Sequence, residues 1–479
     1  MTQYRKLIQY TTVLVCTFCL TDYRPRMQSI NPATGEIICD YSPYGREQIA
    51  RSIEKAQTCF LQWKARTFTE RATLMHNAAS VLRERKADLA VLMADEMGKV
   101  LRDGEAEIEK CAVCCEYYAD NAESLLQDEH IQTDARMSFV TYQPLGAVLA
   151  IMPWNFPFWQ VFRFAAPNLM AGNVGVLKHA SNVSGCALAI EAIFRDAGFP
   201  EGCFITLLVG SDTVNDLIAH ADIRAVTLTG SMEAGKAVAA RAGALLKKTV
   251  LELGGSDAYV VLEDADIKAA AIECAKSRLI NAGQSCIAAK RFIVASSAMS
   301  AFKKYFIAYF SAIQAGDPKD ASSGIGPMAR VDLREALHKQ VRASLAKGAN
   351  LVLGGEIPKG SGAFYPPTIL DNVKPGMPAF DEELFGPVAA IIEAKDEKDA
   401  FALANASRFG LGSAIFTSDL ARAETLAKTR MEAGQTFVNA FVRSDPRLPF
   451  GGIKESGYGR ELGALGIREF VNAKTVYIA

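Results

Sequence analysis

Three short segments of this chain carry residue types that can do chemistry. Asn281-Ala282-Gly283-Gln284-Ser285-Cys286 sets a cysteine just beyond a glycine-containing turn, open to approach, whereas the other cysteines mostly sit inside apolar helical or strand patterns. A free thiol has a pKa of about 8.5, so little of it is thiolate at neutral pH without help. Taken alone, Cys286 reads equally as a structural residue or as a nucleophile. Leu251-Glu252-Leu253-Gly254-Gly255 places a carboxylate at an apolar strand end, which is costly unless the group is partnered or functional. Desolvation moves such a group toward the range of a general base, and the paired glycines let a flat ring approach the backbone. A salt-bridged glutamate at a sheet margin is the alternative. Pro153-Trp154-Asn155-Phe156-Pro157 follows an apolar strand directly. Ligands of parallel α/β sheets lie beyond the carboxyl ends of strands. A Pro-flanked turn there holds Asn155 as an oxyanion donor must be held, and losing such a donor typically costs ~2.7–4 kcal/mol. The competing reading is an ordinary loop around a buried Trp154.

A second group of segments suits a nucleotide. One strand runs into Lys178-His179-Ala180-Ser181, and another into Gly230-Ser231-Met232-Glu233-Ala234-Gly235 at a helix start. Free N–H groups at a helix N-terminus suit a pyrophosphate, and Lys178 can reach a ribose or a phosphate. The G-x-G-x-x-G fingerprint is absent, so this is not an ordinary dinucleotide turn. Glu382-Glu383-Leu384-Phe385-Gly386-Pro387 can grip a ribose diol, and the glycine-rich Pro449–Glu461 stretch can pack a loop over a site. Neither carries weight alone.

The elements that must position these residues follow from periodicity. Arg46–Arg66, Glu70–Met97 and Asp103–Ala122 read as helices, with apolar residues at 3,4 spacing. From about residue 139 the pattern becomes short apolar strands (Gly146–Met152, Val174–Leu177, Cys203–Val209, Ala225–Thr229, Thr249–Leu253) separated by helices such as Asn182–Ala197 and Met232–Leu246. A second set follows: Tyr259–Leu262, Arg291–Val294, Asn350–Leu353, Val388–Ile392, Ser413–Phe416 and Gln435–Val438. Near-continuously apolar strands alternating with helices imply parallel sheets covered on both faces. Two α/β domains joined near residues 252–256 are the simplest account, with Thr475–Ile478 a further strand. Residues 1–26 read as an extension, or the product of an upstream start codon, outside the fold. Their apolar run Val13–Leu20 is interrupted, is followed by no small-x-small cleavage site, and is too short to span a bilayer.

The chain has 479 residues, 50% hydrophobic and 22% charged, with 52 Lys+Arg against 53 Asp+Glu and a formal net charge of −1. Without a basic surplus, nucleic acid is excluded as a partner class, and disordered and collagen-like classes fall with it. Eleven cysteines are too few for a disulfide scaffold, and an odd number cannot pair completely. Cys111, Cys114 and Cys115 share one side of a helix, but none of the five histidines stands at ligand spacing. Buried apolar cysteine is therefore the reading, with no metal, in a reducing compartment.

Together, in this order and spacing, the segments resemble the aldehyde dehydrogenase family from about Asn31 to the C-terminus, and among its members the bacterial succinate-semialdehyde dehydrogenases, above all across Pro153–Asn173. The resemblance implies an α/β fold of two parallel-sheet domains, one Rossmann-like, with a small bridging element. It places the cofactor domain at 27–124 and 143–251, the catalytic domain at 252–440, and the bridging element at 125–142 and 461–479. It makes Cys286 the nucleophile, Glu252 the general base, and Asn155 the oxyanion donor beside the Cys286 N–H. Lys178 matches an adenosine-ribose contact, Gly230 and Ser231 the pyrophosphate end, and Glu383 and Phe385 the nicotinamide end. Trp154, Ser181 and Leu253 complete the expected contacts to NAD or NADP. The implied reaction oxidises an aldehyde to an acid through a cysteine thioester, and Glu252 argues against the branch that transfers the acyl group to CoA.

Two departures bear on specificity. Ser181 stands where the family often has a glutamate that binds the adenosine ribose and repels a 2′-phosphate, which implies NAD use with tolerance of NADP. Ile280 replaces an arginine that some relatives use for the substrate carboxylate, leaving Arg163, Arg443 or Arg447 to meet it. Succinate semialdehyde is the expected substrate, with glutarate semialdehyde or medium-chain aldehydes open. A redox-independent cysteine hydrolase or a catalytically silent binding relative are the rival classes. A cytoplasmic homodimer or homotetramer, with no membrane or nucleic-acid partner, completes the expectation.

Overall fold

The computed structural model describes residues 27–479, so the expectations for the first 26 residues lie outside it. The fold is α/β, as expected, and rests on two mainly parallel sheets. The first has six strands in the order Gly457–Tyr458, Lys248–Glu252, Ile223–Thr229, Ala147–Met152, Val174–His179 and Phe204–Thr206, with only the first of these antiparallel to its neighbour. The second has seven, in the order Asn350–Leu353, Thr368–Asp371, Val388–Ala394, Arg291–Ala295, Ala258–Val261, Gly412–Phe416 and Gln435–Val438. Its outer pair Asn350–Leu353/Thr368–Asp371 is antiparallel and the rest parallel.

The chain leaves the first sheet at Glu252 and enters the second at Ala258, so residues 253–257 form the crossing. Side chains of the second sheet alternate between two separate clusters. Val260, Ile293, Ala390 and Ile415 lie in one, and Tyr259, Phe292, Ile391 and Ala414 in the other. A sheet buried on both faces needs such apolar runs, which is why its strands were legible without polar alternation.

Helix Arg46–Trp63 buries Ile49, Ile53, Ala56, Phe60 and Trp63, a 4,3,4,3 spacing that presents one stripe to the core. The predicted helix Glu70–Met97 is two helices, Phe68–Glu84 and Lys86–Met97, broken at Arg85 (φ −99°, ψ 5°). The first starts in a capping box between Thr67 and Glu70, with Thr67 N–H donating to Glu70 Oε2 at 2.7 Å. Cys111, Cys114 and Cys115 are fully buried on helix Leu101–Leu125, as their pattern implied. Strand Val471–Ile478 pairs antiparallel along its whole length with Met137–Pro144, whose other edge meets the short strand Glu129–His130. Among the described residues no helix is long and apolar enough to cross a membrane.

Candidate active site

The first sheet delivers its strand ends in register. Ile151 pairs with both Lys178 and Leu228, and Leu228 with Leu251, so the segments beyond these strands emerge side by side. Trp154 and Asn155 follow one strand, Lys178 sits near the end of the next, and Gly230 and Leu253 follow the other two. Ser231 caps helix Met232–Gly243, its hydroxyl accepting from the Ala234 N–H at 3.3 Å. Lys178 is half-buried, its pKa lowered by burial and held up by Asp212, and Ser181 is exposed at the start of a short 3₁₀ turn. A capped helix N-terminus, a half-buried lysine and a glycine at adjacent strand ends fit the phosphates and ribose of a dinucleotide.

His179 ties this edge to the Asn155 loop. Its Nε2 contacts the Pro157 carbonyl oxygen at 2.9 Å while Nδ1 accepts from the Ala180 N–H at 2.8 Å. Burial pulls its pKa down to about 4, so the ring is neutral and Nε2 carries the proton. Asn155 is buried, and its Nδ2 donates to the Gln284 carbonyl at 3.1 Å, within the nucleophile loop. The Asn155 carbonyl accepts from Asn281 Nδ2 at 2.7 Å and Lys99 Nζ at 3.0 Å. Lys99 is paired in turn with buried Glu107, which receives the N–H groups of Phe158 and Trp159, each at 2.9 Å.

The loop that carries Cys286 is held in an unusual backbone form. Asn281, Ala282 and Gly283 have φ of 52°, 53° and 74°, three successive left-handed residues. A Cβ on Gly283 would lie 2.1 Å from the Gly386 carbonyl oxygen, so glycine is required there. That close approach also sets Glu383 and Phe385 beside the loop. Cys286 is half-buried against the core of the first sheet, together with Trp154 and Phe156. Burial pushes its thiol up to about 12, opposed by the positive charges of Lys290 and Arg163 and reinforced by Glu383 and Asp257.

The Glu252 loop reaches the same place. Cβ atoms on Gly254 and Gly255 would lie 2.4 Å from Glu383 Oε2 and 2.7 Å from the Cys286 carbonyl oxygen, so both glycines are needed for contact. Gly255 N–H donates to Glu383 Oε1 at 3.0 Å, and Trp154 meets Phe385 edge-on with ring centroids 5.8 Å apart. Glu252 is buried with neither carboxylate oxygen hydrogen-bonded among the described residues, and burial, then the neighbouring Glu461, raises its pKa strongly. The positive charge of Arg163 opposes the upward shift of both Glu252 and Cys286.

The arginines expected to meet a carboxylate are placed differently from one another. Arg163 is buried and ion-paired with Glu461, so the free cation expected there already has an anion. Arg447 is likewise engaged, clamping Asp445 at 2.8 and 2.6 Å. Arg443 is exposed and has no hydrogen bond or ion pair among the described residues. Lys99, Glu107, Lys290 and Glu461 were missed in the sequence. Their one signal was charge inside apolar runs, as in Ala288-Ala289-Lys290-Arg291-Phe292.

The aldehyde dehydrogenase family model matches residues 20–476. A probable NADP⁺ succinate-semialdehyde dehydrogenase of Synechocystis is 49% identical, over 94% of this chain and 99% of that protein. A succinate semialdehyde dehydrogenase [NAD(P)⁺] of Escherichia coli is 47% identical, over 94% and 97%. The structure of succinic semialdehyde dehydrogenase from Streptococcus pyogenes, in complex with NADP⁺, superposes with a TM-score of 0.92 at 37% identity, covering 94% of this chain and 99% of that one. The chain belongs to the aldehyde dehydrogenase family. Its activity is the NAD(P)-dependent oxidation of an aldehyde, as the sequence implied.

A thiol raised to about 12 ionises progressively as the pH climbs, and thiolate is the reactive form. In the ligand-free enzyme, alkylation of Cys286 by iodoacetamide, followed on its own peptide by mass spectrometry, is expected to accelerate up to pH 9.5 without a plateau. A plateau below pH 8 would show a thiolate already formed.

Proposed function

We propose that this chain oxidises succinate semialdehyde to succinate, with Cys286 as nucleophile, Glu252 as general base, and Asn155 Nδ2 with the Cys286 N–H as the oxyanion donors. The observation that carries the reading is the packing of Gly254–Gly255 against Glu383 and the Cys286 carbonyl, which joins the base loop to the nucleophile loop. Cys286, after its thiol proton has passed to solvent, attacks as thiolate: Sγ forms a bond to the aldehyde carbon while the carbonyl π pair moves to the oxygen, which takes up the negative charge between the two donors. A nicotinamide dinucleotide, when bound, supplies the hydride acceptor that leaves a thioester on Cys286. Glu252 then removes a proton from water, the hydroxide attacks the thioester carbon, and the Cys286 thiol departs as succinate forms. Glu252 suits this late role because its oxygens have no partner to give up and its raised pKa makes it a stronger base.

Lys178, Ser181, Gly230, Ser231 and Leu253 are proposed to bind the adenosine and pyrophosphate side, and Trp154, Glu383 and Phe385 the nicotinamide side. With Ser181 in place of a carboxylate, nothing at that position repels a 2′-phosphate, and the NADP⁺ relatives favour NADP as a working cofactor. For the substrate's distal carboxylate the engaged state of Arg163 and Arg447 favours Arg443. Its neighbour Ser444 accepts from Lys110 Nζ at 2.7 Å, and Lys110 lies over the Trp159 ring at 4.1 Å, which sets this loop beside the start of the helix after Asn155. We also read the chain as a cytoplasmic homodimer or homotetramer. Among the described residues, nine unpaired cysteines suit a reducing compartment, and the outer edge of strand Val471–Ile478 pairs with no other strand and can take a neighbouring subunit.

Cys286→Ala is expected to abolish NAD(P)H formation at 340 nm. Glu252→Gln should keep a pre-steady-state burst of one reduced cofactor per site while steady turnover falls about 100-fold or more. Loss of the burst would move Glu252 to an earlier step, and turnover in Cys286→Ala would overturn the mechanism.

Comparing kcat/KM for the two cofactors should give a ratio within about 1000-fold, or ~4 kcal/mol. A larger preference for NAD would contradict the role given to Ser181. Arg443→Ala should raise KM for succinate semialdehyde about tenfold or more while leaving that for propanal within about twofold. Equal effects on both aldehydes would remove Arg443 from the substrate site.

A further inference from the structure

Against the main chain of the nucleophile lies a buried lysine that the mechanism above does not use. Lys290 is fully buried at the start of strand Arg291–Ala295. Its backbone is fixed on both sides: its N–H donates to the Asp257 carbonyl at 3.1 Å, and its carbonyl accepts from the Ala390 N–H at 3.0 Å. From this anchor the ammonium donates to the Ser285 carbonyl at 2.7 Å and to the Cys286 carbonyl at 2.6 Å, and stands 3.4 Å from Glu383 Oε1. Those three contacts match the three donors of an ammonium.

The Ser285 contact has a geometric consequence. All described peptide bonds are trans, and in a planar trans peptide the C=O and N–H point in opposite directions. Drawing the Ser285 carbonyl toward Lys290, inside the protein, therefore turns the Cys286 N–H the other way. That N–H donates to no protein group among the described residues, although almost all buried backbone donors are satisfied. It is a donor held open, and Lys290 holds it together with the Ala288 N–H, which donates to the same Ser285 carbonyl at 3.2 Å.

We propose that Lys290 is a positioning residue for the reaction: by binding the Ser285 and Cys286 carbonyls from inside, it aims the oxyanion-binding N–H, places a positive charge behind the thiol, and ties both to Glu383. The inference rests on the reading of Cys286 as nucleophile and of its N–H as an oxyanion donor. The charges facing the thiol are Lys290 and Arg163 on the positive side and Glu383 and Asp257 on the negative. Those facing Lys290 are Glu383, Arg278 and Asp257. Arg278 donates a hydrogen bond to the Gly283 carbonyl, so a second buried cation grips the main chain of the same loop two residues earlier than Lys290 does. Lys290 is the one of the two that touches the peptide of the nucleophile itself.

The test uses the full chain with NADP, comparing wild type with Lys290→Met, Lys290→Gln and Lys290→Arg. Circular dichroism and thermal melting identify the folded variants. The neutral variants should lose at least about 30-fold in kcat, with the aldehyde KM within about threefold, since an oxyanion donor acts mainly in the transition state. Iodoacetamide should label their Cys286 about tenfold more slowly at pH 8.5, because removing one nearby cation raises a thiol by about a unit. Lys290→Arg keeps the charge but presents a planar fork, so it should label within about threefold of wild type while kcat still falls at least threefold. A folded neutral variant with kcat within threefold of wild type, or with unchanged labelling, overturns the proposal. Where neither neutral variant folds, Lys290→Arg decides, and a kcat loss below threefold overturns it. Inactivation of the wild type in step with Cys286 labelling separately checks the nucleophile. Activity surviving full labelling would sink that reading whatever the Lys290 variants do.

Discussion

The site depends on one close approach between backbones that belong to different sheets. The chain leaves the first sheet at Glu252, and the loop before the strand Arg291–Ala295 of the second carries Cys286. These two segments meet only because Gly254 and Gly255 have no side chains where Glu383 and the Cys286 carbonyl lie. A methyl group at either position would have to displace a carboxylate or a main-chain oxygen. Gly283 repeats the device on the opposite flank, where the Gly386 carbonyl occupies the space of a side chain. Three glycines thus set the distance between base, nucleophile and the acidic–aromatic segment Glu383–Phe385. Their intolerance of substitution is steric before it is conformational.

Charge organises what the glycines bring together. Lys99 is paired with Glu107 and Arg163 with Glu461, all four buried, and buried Lys290 stands beside the partly buried Glu383. Removing one member of such a pair strands an uncompensated charge, so each pair fixes its segment firmly even if it adds little net stability. Lys99–Glu107 holds the Asn155 loop, Lys290–Glu383 the nucleophile loop, and Arg163–Glu461 the region around Glu252. The two groups proposed to react, Glu252 and Cys286, are left outside these pairs. Burial disfavours the charged form of each, opposed at the thiol by two cations and at the carboxyl by Arg163 and Arg460.

The strands were legible where burial on both faces imposed apolar runs. Asn350–Leu353 and Gln435–Val438 lie within the bounds their sequence suggests, and most others differ by a residue or two at an end. Helix Trp159–Met170 was not read because all twelve of its residues are buried, which erases the 3.6-residue stripe, and because Pro167 sits inside it. The break at Arg85 was invisible for the opposite reason: buried Met75, Ala78 and Leu82 are followed by Leu89, Met93 and Met97 in uninterrupted helical phase. Two-residue strands such as Phe409–Gly410 and Gly457–Tyr458 exist only through their partners Ile453–Lys454 and Leu251–Glu252 and carry no periodic signal. Cys286, Glu252 and Asn155 stood out because each breaks the rule of its local pattern. Lys290 and Glu461 also break theirs, but the anions and carbonyls that explain them come from distant segments, which only the fold brings near.

The engaged state of Arg163 bears on how the enzyme can tell aldehydes apart. A cation bound to a buried carboxylate offers a second carboxylate less than a free one does, because its field is already opposed and its donors are partly used. Its guanidinium also lies 4.5 Å from the Phe450 ring, which holds it against the late glycine-rich loop. Arg163 is therefore best understood as part of the wall that shapes the electrostatics of Glu252 and Cys286, acting on every aldehyde alike. Discrimination between an acidic and a neutral aldehyde has to come from a cation that is free until the substrate arrives. Arg443 is the cation proposed for that role: it is exposed and, although its charge bears on Asp445, it makes no hydrogen bond or ion pair among the described residues. On that proposal the chemistry rests on buried paired charges and the choice of substrate on an exposed one.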